Sequence, residues 1–257
     1  MIQRTELSEA LRKAFRKVLS DDLGAVSADQ AFYGSSSETA RDMAVKLRGT
    51  AVRLLTRAQD VDSIPYLLDV AVEKDGVGWS VSDQEDVYAL YRFLGKHPPP
   101  QLVERLTGVV DACLTAELRP GAEPPGDAIS ASMLLAALGH GTKLQELRER
   151  THHDFLSALE RGPEDGFDKA ESLLMLRDPR GADWLLDRLT SPKDTVRNRA
   201  VGMLSDAAGL KVVSPRELDG EGSTEERARW AQARQKWADW WTAHRQEFSL
   251  QNPYAPR

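Results

Sequence analysis

Apolar residues recur three and four positions apart in segment after segment of this 257-residue chain, and sustained alternation with β-branched enrichment is scarce. That spacing gathers the apolar side chains into one stripe of an α-helix, so the pattern predicts an all-α fold in which helix packs on helix. Boundary chemistry agrees. Ser82-Asp83-Gln84-Glu85, Thr142-Lys143-Leu144-Gln145 and Ser223-Thr224-Glu225-Glu226 each fit a capping box, in which two side chains satisfy backbone donors reciprocally. Gly95, Gly139, Gly162 and Gly209 stand just past apolar-periodic runs, where a left-handed residue closes a helix without steric cost. These signals predict helices over about 6–19, 38–58, 63–74, 83–94, 100–118, 128–138, 143–160, 167–177, 179–189, 194–207 and 225–247. "KHPPP" and "RPGAEPPGD" read as loops.

With 41% hydrophobic and 29% charged residues, the chain is rich enough in helix formers to fold around a core. A formal charge of −6 argues against a general nucleic-acid binder, which presents a basic face. Cys113 is the single cysteine, so no intramolecular disulfide can form, and its setting in "LTGVVDACL" predicts a buried thiol. The start lacks a continuous apolar core of the kind a signal peptide carries, and no apolar run approaches about 18 residues. A cytoplasmic protein without a transmembrane segment is expected.

Candidate helix starts at Asp62, Pro99, Thr142 and Asp178 are about 36 to 43 residues apart, the period of helical-hairpin solenoids. Within "DPRGADWLLDRLTSPKDTVRNRAVGMLSDAAG", Asp178 to Gly209, Asp178 can cap a helix with Pro179 at its first position, where a missing N–H costs nothing. Asp194 then precedes Val196 and Arg197, followed by Ala200, Val201 and Leu204. This order resembles the aspartate, valine-arginine and alanine positions of a HEAT repeat. The resemblance implies that Asp194 caps the second helix and that Val196, Ala200 and Leu204 face a core. Asp62 to Gly95 is similar with a longer loop and no valine-arginine pair, and residues 99–139 match by period alone. The expected architecture is a single HEAT-like α-solenoid over 1–257, with an N-terminal helix and connector (1–36), repeats (37–209) and a C-terminal capping helix segment (210–250).

On a helix, Trp230, Trp237, Trp241, His244 and Phe248 fall on one narrow stripe with Trp240 on its shoulder. A solenoid exposes the apolar face of its last repeat, and an aromatic stripe can cover it. Trp230, Trp237 and Trp241 are therefore expected to form a structural cap, with Trp240 partly exposed. The competing reading is an aromatic recognition surface. "EERARWAQARQKWADWW" also resembles the tryptophan-bearing terminal helix that follows the repeats in many bacterial HEAT-repeat proteins.

His152 and His153 in "THHDF" are adjacent on a helix, so they point about 100° apart and do not form a metal pair, which needs i, i+3 or i, i+4 spacing. "GHGTK" lacks the glycine spacing of a phosphate loop and reads as a turn between helices. No nucleophile arrangement stands in a recognisable local context, so no catalytic, metal or cofactor residue is assigned. In the first helix, Leu7, Leu11, Phe15 and Val18 make an apolar face expected to pack on the first repeat, leaving Arg12, Lys13, Arg16 and Lys17 solvated. Membrane-surface association is the other reading of that helix.

The leading expectation is a non-enzymatic scaffold or adaptor whose curved face binds a protein or peptide, with Arg197, Arg199 and Trp240 as candidate partner-binding residues. The bland reading of both arginines is ion pairing with acids such as Asp187. An immunity or inhibitor protein that covers a toxin is a second reading, and a HEAT-like DNA glycosylase, which needs a basic groove, is a third.

Overall fold

The structure, a computed structural model, describes residues 7–20, 37–72, 84–116, 124, 126–162, 166–208 and 224–255. Every regular element among them is helical: α1 (Glu9–Ser20), α2 (Ser37–Arg57), a short 3-10 turn (Val61–Ser63), α3 (Ile64–Val72), α4 (Gln84–Lys96), α5 (Leu102–Thr115), α6 (Gly126–Ala137), α7 (Thr142–Arg161), α8 (Gly166–Met175), α9 (Pro179–Arg188), α10 (Asp194–Ala208) and α11 (Thr224–Leu250). Each predicted helix is present. No helix among the described residues is long and apolar enough to cross a membrane. Ser82, Asp83, Gly209 and Ser223 lie outside the described residues. Gly95 does not end a helix as expected, because α4 continues to Lys96.

The chain groups into two compact units. Unit 1 gathers α1–α6 with Pro253 and Tyr254; unit 2 gathers α7 from Leu144 onward with α8–α11.

One junction occurs in both. At the end of α2, Gln59 takes the left-handed conformation (φ 55°), and the N–H of Asp60 donates to Leu55 O at 3.1 Å. At the end of α8, Arg177 does the same (φ 54°), with the Asp178 N–H donating to Leu173 O at 2.8 Å. This pattern satisfies carbonyls that a helix end leaves unpaired. Each junction then delivers a buried aspartate at the start of the next helix, Asp60 and Asp178, both 2% exposed. The sequences behind them, "DVDSIPYLLD" and "DPRGADWLLD", share the aspartate and a Leu-Leu-Asp at the same spacing. The helix start therefore aligns on Asp60, two residues before the expected Asp62.

In unit 1, α6 is buried from Ala128 to Leu135, with α4 and α5 packed on it. Cys113 is buried in α5. The "GHGTK" turn leads from α6 into α7: Gly139 at φ +90° closes α6, and Lys143 pairs with Asp111 at 2.7 Å. α1 packs on α2 and α3 through its apolar face, with Leu7, Phe15 and Val18 half-buried and Leu19 buried, but Leu11 and Arg16 depart from the expected pattern. Arg16 turns inward and grips Asp60 with two bonds of 2.7 and 2.5 Å, while Arg12 approaches the same carboxylate at 3.5 Å. Leu11 stays 48% exposed. The reason Arg16 leaves the solvent is electrostatic: the buried Asp60 carboxylate needs a cation. Burial pushes the Asp60 carboxyl up, but the Arg16 hydrogen bond and the Arg16 and Arg12 charges outweigh it and hold its pKa below the usual range.

In unit 2, Asp178 is satisfied locally. It accepts from the Arg180 N–H at 3.0 Å with Pro179 at the first helical position, and the Arg180 guanidinium closes on the same carboxylate at 2.6 Å. Arg148 of α7 completes the junction by donating to Leu176 O (2.9 Å) and Arg177 O (3.1 Å) at the end of α8. α9 lies tight on α8. A Cβ at Gly181 would stand 2.7 Å from Ala170 O, so only glycine permits that approach. In α10, Ala200, Val201 and Leu204 are buried and Val196 packs against the same core. Asp194 does not cap α10; it is the helix's first residue, and its carboxylate takes the Arg197 guanidinium instead.

Candidate partner-binding groove

α11 packs on α9, and its aromatic stripe enters the core built by α8, α9 and α10. Trp230, Trp237, Trp241 and Phe248 are buried there; Trp237 is fully enclosed. Trp241 Nε1 donates to Asp183 Oδ1 at 2.7 Å, and Arg245 Nη2 donates to Asp183 Oδ2 at 2.8 Å, so α9 supplies one acid for both. That carboxylate raises the Arg245 pKa chiefly through this hydrogen bond. Trp240 is half-buried, edge-on to Trp237 at 5.7 Å and stacked on His244 at 4.7 Å.

The two candidate arginines separate. Arg199 reaches back to α8, pairs with Asp168 and lies over the Phe167 ring at 4.7 Å. Arg197 faces α11. Its guanidinium lies 4.7 Å over the Trp230 ring, donates to Ser191 O at 2.7 Å and pairs with Asp194. Neither bonds Asp187, because Asp168 and Asp194 are the acids that the α8–α10 packing and one helical turn bring within reach.

Beside Arg197 lies a groove of about 780 Å³. Leu189 and Trp230 line it as buried apolar residues, the turn Thr190, Ser191 and Pro192 with Asp194 and Arg197 forms one side, and Ala231, Arg234 and Gln235 form the other. Its size falls in the range of ligand and peptide-segment sites. Arg234 is exposed and has no ion pair among the described residues. Gln235 is held by its bond to Asp239 at 2.7 Å. An aromatic base with one pinned guanidinium and one that has no ion pair among the described residues suits a segment that brings both an apolar side chain and a carboxylate.

The sequence signal that would have found Arg234 is its place four residues after Trp230, which sets the two on neighbouring turns of one helix edge. Trp240 lies away from the groove lining. His152 lies over Phe155 at 6.2 Å while the exposed His153 leans toward Asp154, so the pair diverges as expected from its spacing. No group of three metal-ligating side chains occurs among the described residues.

No family, curated protein or solved structure matches the chain.

Proposed function

We propose that the protein is a non-enzymatic, HEAT-like helical scaffold that binds a protein or peptide segment in the groove between the α9–α10 turn and α11. The single observation that carries this reading is the groove itself, with its Leu189 and Trp230 base and the guanidinium of Arg234 free of any ion pair among the described residues. The α9–α10 hairpin supports the repeat assignment: Asp178 and Pro179 open its first helix, and Ala200 and Leu204 bury the second. Trp230, Trp237 and Trp241 act in it as the structural cap. By stiffening α11 they hold one wall of the groove in place, which lowers the ordering cost of binding.

The test is quantitative capture from native lysate with wild type, Arg234→Glu and the control Arg229→Glu. Arg229 is exposed on the same helix but does not line the groove. A protein that wild type and Arg229→Glu retain and Arg234→Glu loses supports the reading. A partner held equally by all three, or a nucleic acid in place of a protein, contradicts it.

A further inference from the structure

We propose that unit 1 carries a peptide socket, filled in this structure by the chain's own Pro253 and Tyr254, that also takes a proline–tyrosine segment presented by a partner. The socket is independent of the groove in unit 2. Tyr254 is almost completely buried, its ring edge-on to Tyr88 at 5.0 Å and to Tyr91 at 5.6 Å. Ser130 Oγ donates to Tyr254 Oη at 3.0 Å, and Arg92 Nε donates to Pro253 O at 2.6 Å.

The walls also have contacts of their own. Tyr91 is anchored by its own hydroxyl, which donates to Ala71 O at 3.0 Å, and the Arg92 guanidinium lies 5.6 Å over Tyr88. Ser130 belongs to α6, buried on nearly every side and packed on α4, which supplies Tyr88, Tyr91 and Arg92. The guest, in turn, is small: one ring, one hydroxyl and one carbonyl, joined to the end of α11 through Gln251 and Asn252. Ser130 reads the hydroxyl and Arg92 reads the carbonyl before the tyrosine. A buried serine hydroxyl left unpaired costs free energy, so the socket distinguishes tyrosine from phenylalanine. The guest belongs to the same chain as the socket, so a segment arriving in trans has to compete with it.

The experiment uses the full chain and a fluorescent peptide, Gln-Asn-Pro-Tyr-Ala-Pro, read by polarisation. Tyr254→Ala empties the socket and should bind the peptide at least about tenfold more tightly than wild type, in which the tethered segment competes. A peptide carrying phenylalanine in place of tyrosine should bind Tyr254→Ala several-fold more weakly, and Ser130→Ala in that background should erase the difference. If Tyr254→Ala loses its helical circular dichroism, Tyr254→Phe takes its place: it keeps the ring in the socket but weakens the tethered guest, so the tyrosine peptide should bind it better than wild type. No saturable binding to a folded variant, equal binding to wild type and variant, or equal binding of a peptide with alanine for tyrosine would overturn the socket.

Discussion

α1 packs on α2 and α3 and α11 on α9, each near a helix that starts at a buried aspartate, yet they are fastened by different physics. On unit 1, α1 combines packing with charge: Leu19 is buried and Phe15 half-buried, Leu11 stays half in water, and Arg16, with Arg12 behind it, closes on Asp60. On unit 2, α11 is held mainly by area: Trp230, Trp237, Trp241 and Phe248 are inside the core, Asp183 adds bonds to Trp241 and Arg245, and the hydrogen bonds of Asp178 come from Arg180 within its own hairpin. The difference follows from where each aspartate finds its cation. Position 180 is an arginine two residues after Asp178; the corresponding position after Asp60 is Asp62, a second acid, so the charge must come from outside the hairpin. A helix fastened by a few polar bonds opens locally and responds to pH, whereas one fastened by buried rings is rigid, and rigidity suits the wall of a binding site.

The largest effect expected is at the centre of the aromatic fastening. Trp237→Ala removes a fully buried ring and should cost about 3–5 kcal/mol, seen as a drop of several degrees in the melting midpoint. A neutral result would place the stripe at a surface. Arg16→Ala should come next, at about 2–3 kcal/mol, below the usual cost of breaking a buried pair because Arg12 remains near Asp60. Its signature is local: amide exchange should rise in α1 first.

Acid should separate the two fastenings. Because the Asp60 pKa is depressed in the folded protein, its contribution is full above the unfolded carboxylate value of about 3.9 and is lost as pH falls through the lower folded value. α1 amides should therefore lose protection below about pH 4 before those around Trp237, and Asp60→Asn should remove that pH dependence. Simultaneous loss in both helices would erase the contrast. The smallest effect is expected at Trp240→Ala, where a half-buried ring stacked on His244 should cost about 1 kcal/mol or less.

What could be read from the sequence divides along the same line. Helix spans are encoded locally, in apolar spacing and in residues such as Pro179 and Gly139, so they were legible, as was the burial of Trp230, Trp237 and Trp241 on one stripe of a single helix. The role of Arg16 was not, since its partner lies 44 residues away and the turn presenting Asp60 is made by Gln59 rather than by a telltale glycine. Asp194 had the right type and place for a cap, but Arg197, three residues on, claims its carboxylate. The groove was hidden for the same reason. Its two sides, residues 189–197 and 230–235, sit on separate stretches of chain, and only tertiary packing brings them together.

Hydrogen–deuterium exchange of the full chain with and without the partner captured by wild type tests the central claim most directly. The account predicts added protection over residues 189–197 and 230–235, the two sides of the groove, with little change over Trp237 to Phe248, where the helix is already held by the core. Protection confined to the exposed edge of α11 around Trp240, with the 189–197 turn unchanged, would contradict it and make the tryptophan helix itself the recognition surface.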